Sequence, residues 1–343
     1  MAKNTHTAYD RDDLAALKAS NLPAALQTMA HFDSAEDASV FFARELDFVK
    51  AQSYDAEYPE LTALTLFPIS HEADPGAETI TYYSYDKAGQ AKIISNYSND
   101  LPRADVDGKP THATIKSLGA SYGYSVQEMR ASKLAGKSLD ARKADSARYQ
   151  IDVLANRIAW AGDTASGLIG VLSSGNNIPL YTLPNASSGS TTAWATKTAA
   201  EILKDINGMQ KQVSAATKNV ERPDTLVLPS DVFIDISTRQ IDNTGYTVKR
   251  FVLENAPFLK EIVPASELNS DSVDTNPYAA ASNGKGVAFL FKKDPKKMTL
   301  EIPMPYYQYP LQARDLEIVV PCEARTAGVM IYYPLSALIA VGV

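Results

Sequence analysis

The feature that most constrains the fold is one long amphipathic pattern near the middle of the chain. In the segment LDARKADSARYQIDVLANRIAWAG, apolar residues recur at intervals of three and four, while charged residues lie between them. The pattern predicts a helix from Leu139 to Ala161, capped by Ser138 and ended by Gly162. At a rise of 1.5 Å per residue it would be about 35 Å long, so it would run across a whole domain. The apolar positions are Ala144, Ala147, Ile151, Leu154, Ile158 and Ala161.

The segment before this helix has a different periodicity. ETITYYSYD and QAKIISNY alternate polar and apolar residues, and Lys87, Ala88 and Gly89 separate them, so a long β-hairpin is predicted within residues 77 to 115 with its turn at 87 to 89. A short helix is predicted from Tyr124 to Ala135. An isolated hairpin is marginally stable, so this one needs a neighbour to pack on.

Beyond the long helix, the pattern predicts mixed helices and strands. A second amphipathic helix is expected to begin at Thr192, and Ser230 is expected to cap another after the strand Leu226 to Leu228. β-prone runs follow at 248–253, 261–263 and 287–291, and the last forty residues contain at least three candidate strands. Pro303, Pro305 and Pro310 restrict the first of these to a sheet edge.

Composition excludes several classes of protein. The chain has 343 residues, 45% of them hydrophobic, which is enough for a large core and argues against a disordered chain. A net charge of -7 is unlike that of a protein that binds nucleic acid over its whole surface. Cys322 is the only cysteine, which excludes intramolecular disulfides, and no apolar leader core is found near the N-terminus. The uncharged stretch 327–343 is interpreted as buried strands around a turn at Pro334, because it is short for a membrane span.

One motif could indicate catalysis. Residues Gly119 to Gly123 match the Gly-x-Ser-x-Gly pattern in which a serine nucleophile lies on a sharp turn between a strand and a helix. Hydrolases of that kind place their histidine after the serine, and no histidine follows Ser121. A serine hydrolase using Ser121 is therefore kept only as a remote alternative, and a tight strand-to-helix turn is the preferred interpretation.

No other segment provides a catalytic or ligand-binding constellation. The four histidines have no metal-ligand spacing, and Asp105-Val106-Asp107-Gly108 lacks the remaining ligands of a calcium loop, so it is interpreted as a solvated turn. Neither a phosphate-binding loop nor a dinucleotide fingerprint is present. We therefore predict no catalytic, cofactor-binding or metal-binding residues. The tyrosine-rich stretches 82–85, 306–309 and 332–333 are interpreted as interface or core.

Several stretches resemble the major capsid proteins of tailed bacteriophages, which have the Hong Kong 97-like fold and are related to encapsulins. They are YDAEYPELTALTLFPIS, DKAGQAKIISNYSNDLPRADV, YGYSVQEMRAS and GKSLDARKADSARYQIDVLANRIAWAGD. The order of elements is also similar over nearly the whole chain. The resemblance implies an α+β fold.

The resemblance also implies a division of the chain into regions. Residues 1–60 would form an N-terminal arm, 61–76 a connector and 77–118 an extended loop built from the hairpin. Residues 119–194 would form a peripheral domain that contains the spine helix 139–161. Residues 195–286 would form an axial domain, and the strands in 287–343 would return to the peripheral domain.

The function implied is that of a structural, non-enzymatic subunit of an icosahedral phage head. It would self-assemble into pentamers and hexamers that enclose double-stranded DNA, with a portal and scaffolding or decoration proteins as further partners. It would reside in the virion after assembly in the host bacterial cytoplasm, with no membrane partner. Some relatives crosslink a lysine of the extended loop to a late asparagine; Lys87 and Lys92 could offer the first group, but no asparagine follows Asn283, so a non-crosslinked shell is predicted. An encapsulin-type nanocompartment shell is the alternative.

Overall fold

The computed structural model describes residues 58–89, 91–93, 103–135, 142–241, 244–278 and 285–343. The chain divides into two units, residues 1–60 and 61–343, and the description below concerns the second. The predicted arm at 1–60 and the predicted Ser138 cap lie outside the described residues, apart from residues 58–60.

The described part of the chain contains six α-helices and fourteen strands. The helices are α1 (Ala63–Leu66), α2 (Val126–Ala135), α3 (Arg142–Ala161), α4 (Ala199–Ala216), α5 (Ser230–Thr238) and α6 (Val248–Asn255). The first seven strands are β1 (Ile69–Ser70), β2 (Thr79–Gly89), β3 (Ala104–Thr114), β4 (Lys116–Ser125), β5 (Leu180–Thr182), β6 (Thr225–Pro229) and β7 (Glu261–Ala265). The other seven are β8 (Val287–Phe291), β9 (Met298–Glu301), β10 (Met304–Gln308), β11 (Gln312–Arg314), β12 (Glu317–Thr326), β13 (Gly328–Ile331) and β14 (Ala337–Val341).

A five-stranded mixed sheet lies at the centre of the fold, in the order β5-β14-β8-β6-β7. β6 and β8 are buried along their whole length, because both faces of the sheet are covered. Helices α4, α5 and α6 cover one face and pack on Leu226, Leu290 and Leu338. On the other face, Phe289 and Phe291 pack against α1, the end of α3 and β9 and β13. The centre of that face is aromatic, with Phe67 and Trp160 rings 5.2 Å apart in edge-to-face geometry.

Helix α3 is the predicted spine helix, and it joins the two main sheets. Ala147 and Ile151 pack on the four-stranded sheet formed by β4, β12, β10 and β11, whereas Trp160 packs on the five-stranded sheet. The helix ends where predicted: Gly162 has a positive φ of 75°, and a Cβ there would lie 2.6 Å from the Leu168 carbonyl oxygen. Leu154, expected on the core side, is exposed.

The C-terminal stretch agrees with its prediction as paired strands. β13 pairs with β9, the turn follows at Pro334–Ser336, and β14 enters the five-stranded sheet between β5 and β8. Among the helices that the structure describes, none combines the length and apolar character needed to cross a membrane.

The structure corrects the predicted hairpin in detail. β2 continues through Lys87 to Gly89 and pairs with β3, so the predicted turn at 87–89 is wrong. The Asp105 to Gly108 segment, interpreted as a turn, is part of β3, where Asp107 lies opposite Asp86. A strand that is exposed on both faces does not alternate polar and apolar residues. Its sequence is therefore as polar as that of a turn, and the two cannot be distinguished by periodicity.

Three further local predictions are wrong. Val248–Asn255 is helical, because Thr247 caps it and Val248 and Val252 are buried on one side. Helix α4 is capped by Thr198, while the Thr192 hydroxyl donates instead to the Gly342 carbonyl oxygen. Ser230 is the first residue of α5 and does not cap it with its side chain.

The five-stranded sheet also crosses the boundary predicted at residue 286. β8 and β14 come from the segment that was expected to return to a separate domain, yet they pair with β6 and β5. β12, from the same segment, pairs with β4. The late strands therefore contribute to both main sheets.

Candidate assembly surfaces

The hairpin formed by β2 and β3 is a long, largely exposed structure. The two strands pair over eleven residues each, from Thr79 opposite Thr114 to Gly89 opposite Ala104. From Tyr83 to Gly89 and from Ala104 to His112, every residue is exposed. At about 3.4 Å per residue, the exposed part extends about 20 Å from its base. A two-stranded ribbon with no covered face has little to stabilise it alone, so its surface is available to a partner.

The base of the hairpin is fixed to the rest of the fold. The rings of Tyr82 and Tyr332 lie 4.9 Å apart in edge-to-face geometry, and the Tyr82 hydroxyl donates to the Ile331 carbonyl oxygen at 3.3 Å. On the other strand, the Thr114 hydroxyl donates to the Gly167 carbonyl oxygen at 3.2 Å. These contacts set the direction in which the hairpin leaves the body.

The exposed tyrosines of the hairpin form a small aromatic surface. Tyr83 and Tyr85 are 62% and 72% exposed, and their rings stack with centroids 6.5 Å apart. Tyrosine is enriched in protein interfaces because a large rigid ring contacts a partner at a small cost in conformational entropy. Tyr82 and Tyr332 by contrast are half-buried, so the tyrosine-rich stretches are divided between core and surface.

The four-stranded sheet has one covered and one open face. Val320, Cys322 and Ala324 of β12 face helix α3 and are buried. On the open face, the Tyr309 hydroxyl donates to Glu323 Oε2 at 2.6 Å, which raises the pKa of Tyr309 and lowers that of Glu323. Tyr307 lies beside this pair and is exposed. The open face is therefore polar and aromatic, and tyrosine is one of the residues enriched in protein interfaces.

A buried polar cluster connects three distant segments. Glu267, which follows β7, accepts hydrogen bonds from the backbone and hydroxyl of Thr62 at 3.1 and 2.8 Å and from Asn156 Nδ2 at 2.8 Å. Asn156 Oδ1 in turn accepts from the Ala63 backbone at 2.9 Å. We call Thr62, Asn156 and Glu267 the polar clasp. It holds the start of α1, the spine helix and the α/β layer in one arrangement.

A second buried polar group holds the segment before α4. Lys197 Nζ donates to Asp205 Oδ2 at 2.5 Å and to the Pro184 carbonyl oxygen at 2.7 Å, and Trp194 Nε1 donates to the same carboxylate at 3.0 Å. Both charged side chains are almost fully buried. Burial raises the pKa of Asp205, against the opposing effect of Lys197. This ion pair is internal to one chain and holds the segment 184–197 against α4.

The structure does not place Ser121 in the geometry that the serine-hydrolase alternative requires. Ser121 lies within β4, opposite Pro321 of β12, and is not on a strand-to-helix turn as the motif predicted. Gly119 and Gly123 are likewise paired strand residues. Within the described residues, no group of three or more histidine, cysteine, aspartate or glutamate side chains could hold a metal ion.

Comparison with solved structures identifies the class of fold. The capsid of Myoviridae Phage XM1 superposes with a TM-score of 0.73 at 16% identity, over 90% of this chain and all of that one. The capsid of a native GTA particle gives 0.59 at 8% identity, over 90% and 99% of the two chains. A Mycobacterium phage Cain structure gives 0.53 at 11% identity, over 89% and 94%. The chain has a phage capsid fold of the Hong Kong 97-like kind.

The family follows from the sequence itself. Residues 89–343 match the family model described as major capsid protein, which is about three quarters of the chain. The chain therefore belongs to the major capsid protein family, as the resemblance predicted, and is a structural subunit of a phage head shell. A search of curated proteins found no match. The family match and the phage capsid fold favour this function over an encapsulin-type compartment.

The comparisons account for some predictions and leave others open. The α+β class and the capsid function are confirmed. Membership of a structural family indicates a protein that is not an enzyme, that assembles with copies of itself and that belongs to the virion. The polar clasp was missed, because Thr62, Asn156 and Glu267 are separated by 94 and 111 residues and no local pattern connects them.

Proposed function

We propose that the chain assembles into pentamers and hexamers, and that these close into an icosahedral shell around double-stranded DNA. The observation that carries this proposal is the hairpin, which is fixed at its base and exposed from Tyr83 to Gly89 and from Ala104 to His112. A structural subunit that assembles with itself has to offer surfaces to its neighbours, and this is the largest regular one in the described chain.

In this proposal the hairpin lies over a neighbouring copy and acts as the extended loop. The spine helix with the four-stranded sheet forms the peripheral domain, and helices α4 to α6 with most of the five-stranded sheet form the axial domain. Each contact between neighbours joins two different surfaces, which produces rings when the rotation closes.

The remaining partners follow from the same assignment. A closed head needs a portal for DNA and can use scaffolding or decoration proteins, and we propose that assembly takes place in the host bacterial cytoplasm. The negative net charge fits a wall that encloses a polyanion without binding it over the whole surface. No asparagine follows Asn283, so we propose that the shell is held by non-covalent contacts alone.

The test is to express the chain and examine it by size-exclusion chromatography and negative-stain electron microscopy. The full chain is expected to form rings and closed particles that dissociate to monomers in denaturing gels without reducing agent. A variant in which residues 84–109 are replaced by a two-residue turn keeps the base of the hairpin. It is expected to remain folded by circular dichroism and to form no closed particles.

Each of three results would contradict part of the proposal. A full chain that stays monomeric under all assembly conditions would remove the ring-forming function. Normal particles from the shortened variant would show that the hairpin does not hold neighbours together. Bands above the monomer that survive denaturation would overturn the prediction of a non-crosslinked shell.

A further inference from the structure

Helix α4 borders a groove whose residues have no evident role within the subunit. Two adjoining cavities of about 400 and 730 Å³ share Asn207 and Lys211 and run along the exposed side of the helix. We call them together the α4 groove. Lys204 and Lys211 stand at its edge, and Ser214 and Phe258 line its far part. Neither lysine has a hydrogen-bond or ion-pair partner among the described residues.

Two residues that line the groove, Asn207 and Gln210, have buried amide atoms that lack partners. Gln210 is only 4% exposed, and neither polar atom of its side chain has a hydrogen-bond partner in the described part of the chain. Asn207 Oδ1 is also buried and unpaired. Buried polar groups in folded proteins are nearly always paired, so an unpaired carboxamide beside a groove points to a missing partner. A carboxamide offers one acceptor and one donor group, as a peptide bond does.

A loop elsewhere on the same chain has the complementary character. Asp271 and Asp274 are exposed on either side of Val273, which is 71% exposed. Neither aspartate has an ion-pair partner within the residues that are described. We call residues 271–274 the acidic loop. It presents a small apolar side chain between two negative charges, whereas the α4 groove is bordered by two positive charges and lined in its far part by Ser214 and Phe258.

The acidic loop is held rigidly. The Ser272 hydroxyl donates to the Ser266 carbonyl oxygen at 2.8 Å, the Thr275 hydroxyl to the Glu267 carbonyl oxygen at 2.9 Å, and Asn276 Nδ2 to the Leu268 carbonyl oxygen at 3.2 Å. Asn276 is fully buried. A loop already fixed in one conformation loses little entropy when it binds, which favours a role in recognition.

The two surfaces lie at opposite ends of the same strands. β6 and β7 are parallel, and the Ser230 backbone after β6 donates to Asn269 Oδ1 in the segment that leads to the acidic loop. At the other end, Phe258 precedes β7 and its ring lies under the Arg222 guanidinium at 4.8 Å. A strand of five residues spans about 17 Å, so one subunit's loop faces away from its own groove.

From these observations we propose that the acidic loop of one copy binds in the α4 groove of the next copy. The contact joins two different surfaces at opposite ends of the subunit, which is the arrangement that generates a ring. Lys204 and Lys211 would pair with Asp271 and Asp274, while Val273 would enter the groove beside Phe258. The Gln210 atoms are covered in the isolated subunit, so the loop would reach them only if neighbouring side chains changed rotamer. This inference rests on the ring assembly proposed above.

Charge reversal tests the pairing in the full-length chain. The double variants Lys204→Glu/Lys211→Glu and Asp271→Lys/Asp274→Lys are each expected to lower the yield of rings and particles by about tenfold or more, because like charges then meet. Combining all four substitutions is expected to restore assembly. The control variant Lys133→Glu/Lys296→Glu replaces two exposed lysines elsewhere on the chain. It changes the net charge as much as Lys204→Glu/Lys211→Glu does, and it is expected to assemble normally. Thermal unfolding of the unassembled variants identifies any that are misfolded.

Disulfide formation provides an independent test that does not depend on yield. A chain carrying Ser214→Cys and Val273→Cys is expected to give an oxidised ladder of dimers and larger rings, whereas Lys296→Cys with Val273→Cys gives monomers. Particles from both charge-reversed variants at full yield, with no ladder, would overturn the pairing but leave the shell function intact. Normal assembly with loss of packaged DNA in the lysine variant would assign the groove to DNA instead, which also overturns it. A wild-type chain that forms no rings would remove both proposals.

Discussion

The β2–β3 hairpin and the five-stranded sheet are both built from hydrogen-bonded strands, yet they differ in almost every other respect. Beyond their base, strands β2 and β3 are exposed on both faces, and they are close neighbours in the sequence. The five-stranded sheet is covered on both faces, and its strands come from residues 180 to 341. The sheet is thus stabilised inside one subunit, whereas most of the hairpin has no apolar partner there.

This difference separates folding from assembly. Substitutions in the sheet are expected to change the free energy of unfolding of the isolated subunit. Substitutions in the exposed part of the hairpin are expected to change only the association of subunits. Substitutions in the polar clasp or in the cap of α4 are expected to have intermediate effects on the free energy of unfolding. Each of these groups connects elements of the folded subunit but lies outside its apolar centre.

Phe289→Ala is expected to have the largest effect on the isolated subunit. The ring is fully buried and contacts Phe67, Trp160 and Phe291, so its removal leaves a cavity in the aromatic centre. The free energy of unfolding should fall by about 3–5 kcal/mol, measured by urea titration of unassembled chain. Phe289→Leu, which keeps most of the volume, should lose much less. An equal loss in both variants would contradict the cavity explanation.

Glu267→Ala is expected to cost about 2–3 kcal/mol. The substitution leaves the buried Asn156 amide and the Thr62 donors without their acceptor. The same urea titration measures it, and the matched control is Glu254→Ala, whose exposed ion pair with Arg250 should contribute less than about 1 kcal/mol. Similar losses for the two glutamates would show that the clasp does not hold the segments together.

The capping box of α4 predicts a smaller effect that depends on pH. Hydrogen bonds from Ser187 and from the backbone and hydroxyl of Thr198 lower the pKa of Glu201 to about 2 from a usual value of 4.5. A carboxyl with a lowered pKa in the folded state stabilises the fold above its unfolded pKa, and this stabilisation is lost as the pH falls towards the folded pKa. Glu201→Gln should therefore lower the Tm at pH 7, and the difference from wild type should shrink below about pH 4.5 and vanish near pH 2. A difference that stays constant over this range would contradict the assigned pKa.

The smallest change in subunit stability is expected for Tyr83→Ser/Tyr85→Ser. Both rings are exposed and contact each other but no core residue, so the free energy of unfolding should change by about 0.5 kcal/mol or less. Particle yield in negative-stain images should nevertheless fall clearly. Tyr82→Ser is the contrasting variant, because that ring packs on Tyr332 and should affect subunit stability too. Full particle yield from the double variant would exclude the tyrosine surface from assembly.

The comparison also explains what could be predicted from the sequence. The spine helix was predicted because its apolar periodicity is local and strong, and Gly162 ends it by its positive φ. The pairing of β4 with β12 was not predicted, because Ser121 and Pro321 are two hundred residues apart and strand pairing leaves no mark in either segment alone. The Gly-x-Ser-x-Gly match around Ser121 wrongly indicated a turn for the same reason, because the strand that pairs with this segment is far away in the sequence. Neither the acidic loop nor the α4 groove has a sequence signature, because both depend on side chains brought together by the fold.

The position of β14 determines when the five-stranded sheet can form during synthesis. This strand lies between β5 and β8, so residues 337–341 complete a sheet whose other members begin at residue 180. A chain emerging from the ribosome cannot close that sheet until these residues have been released. A subunit that stops before residue 337 therefore lacks the strand that joins β5 to β8, and we expect it to be unable to enter a growing particle.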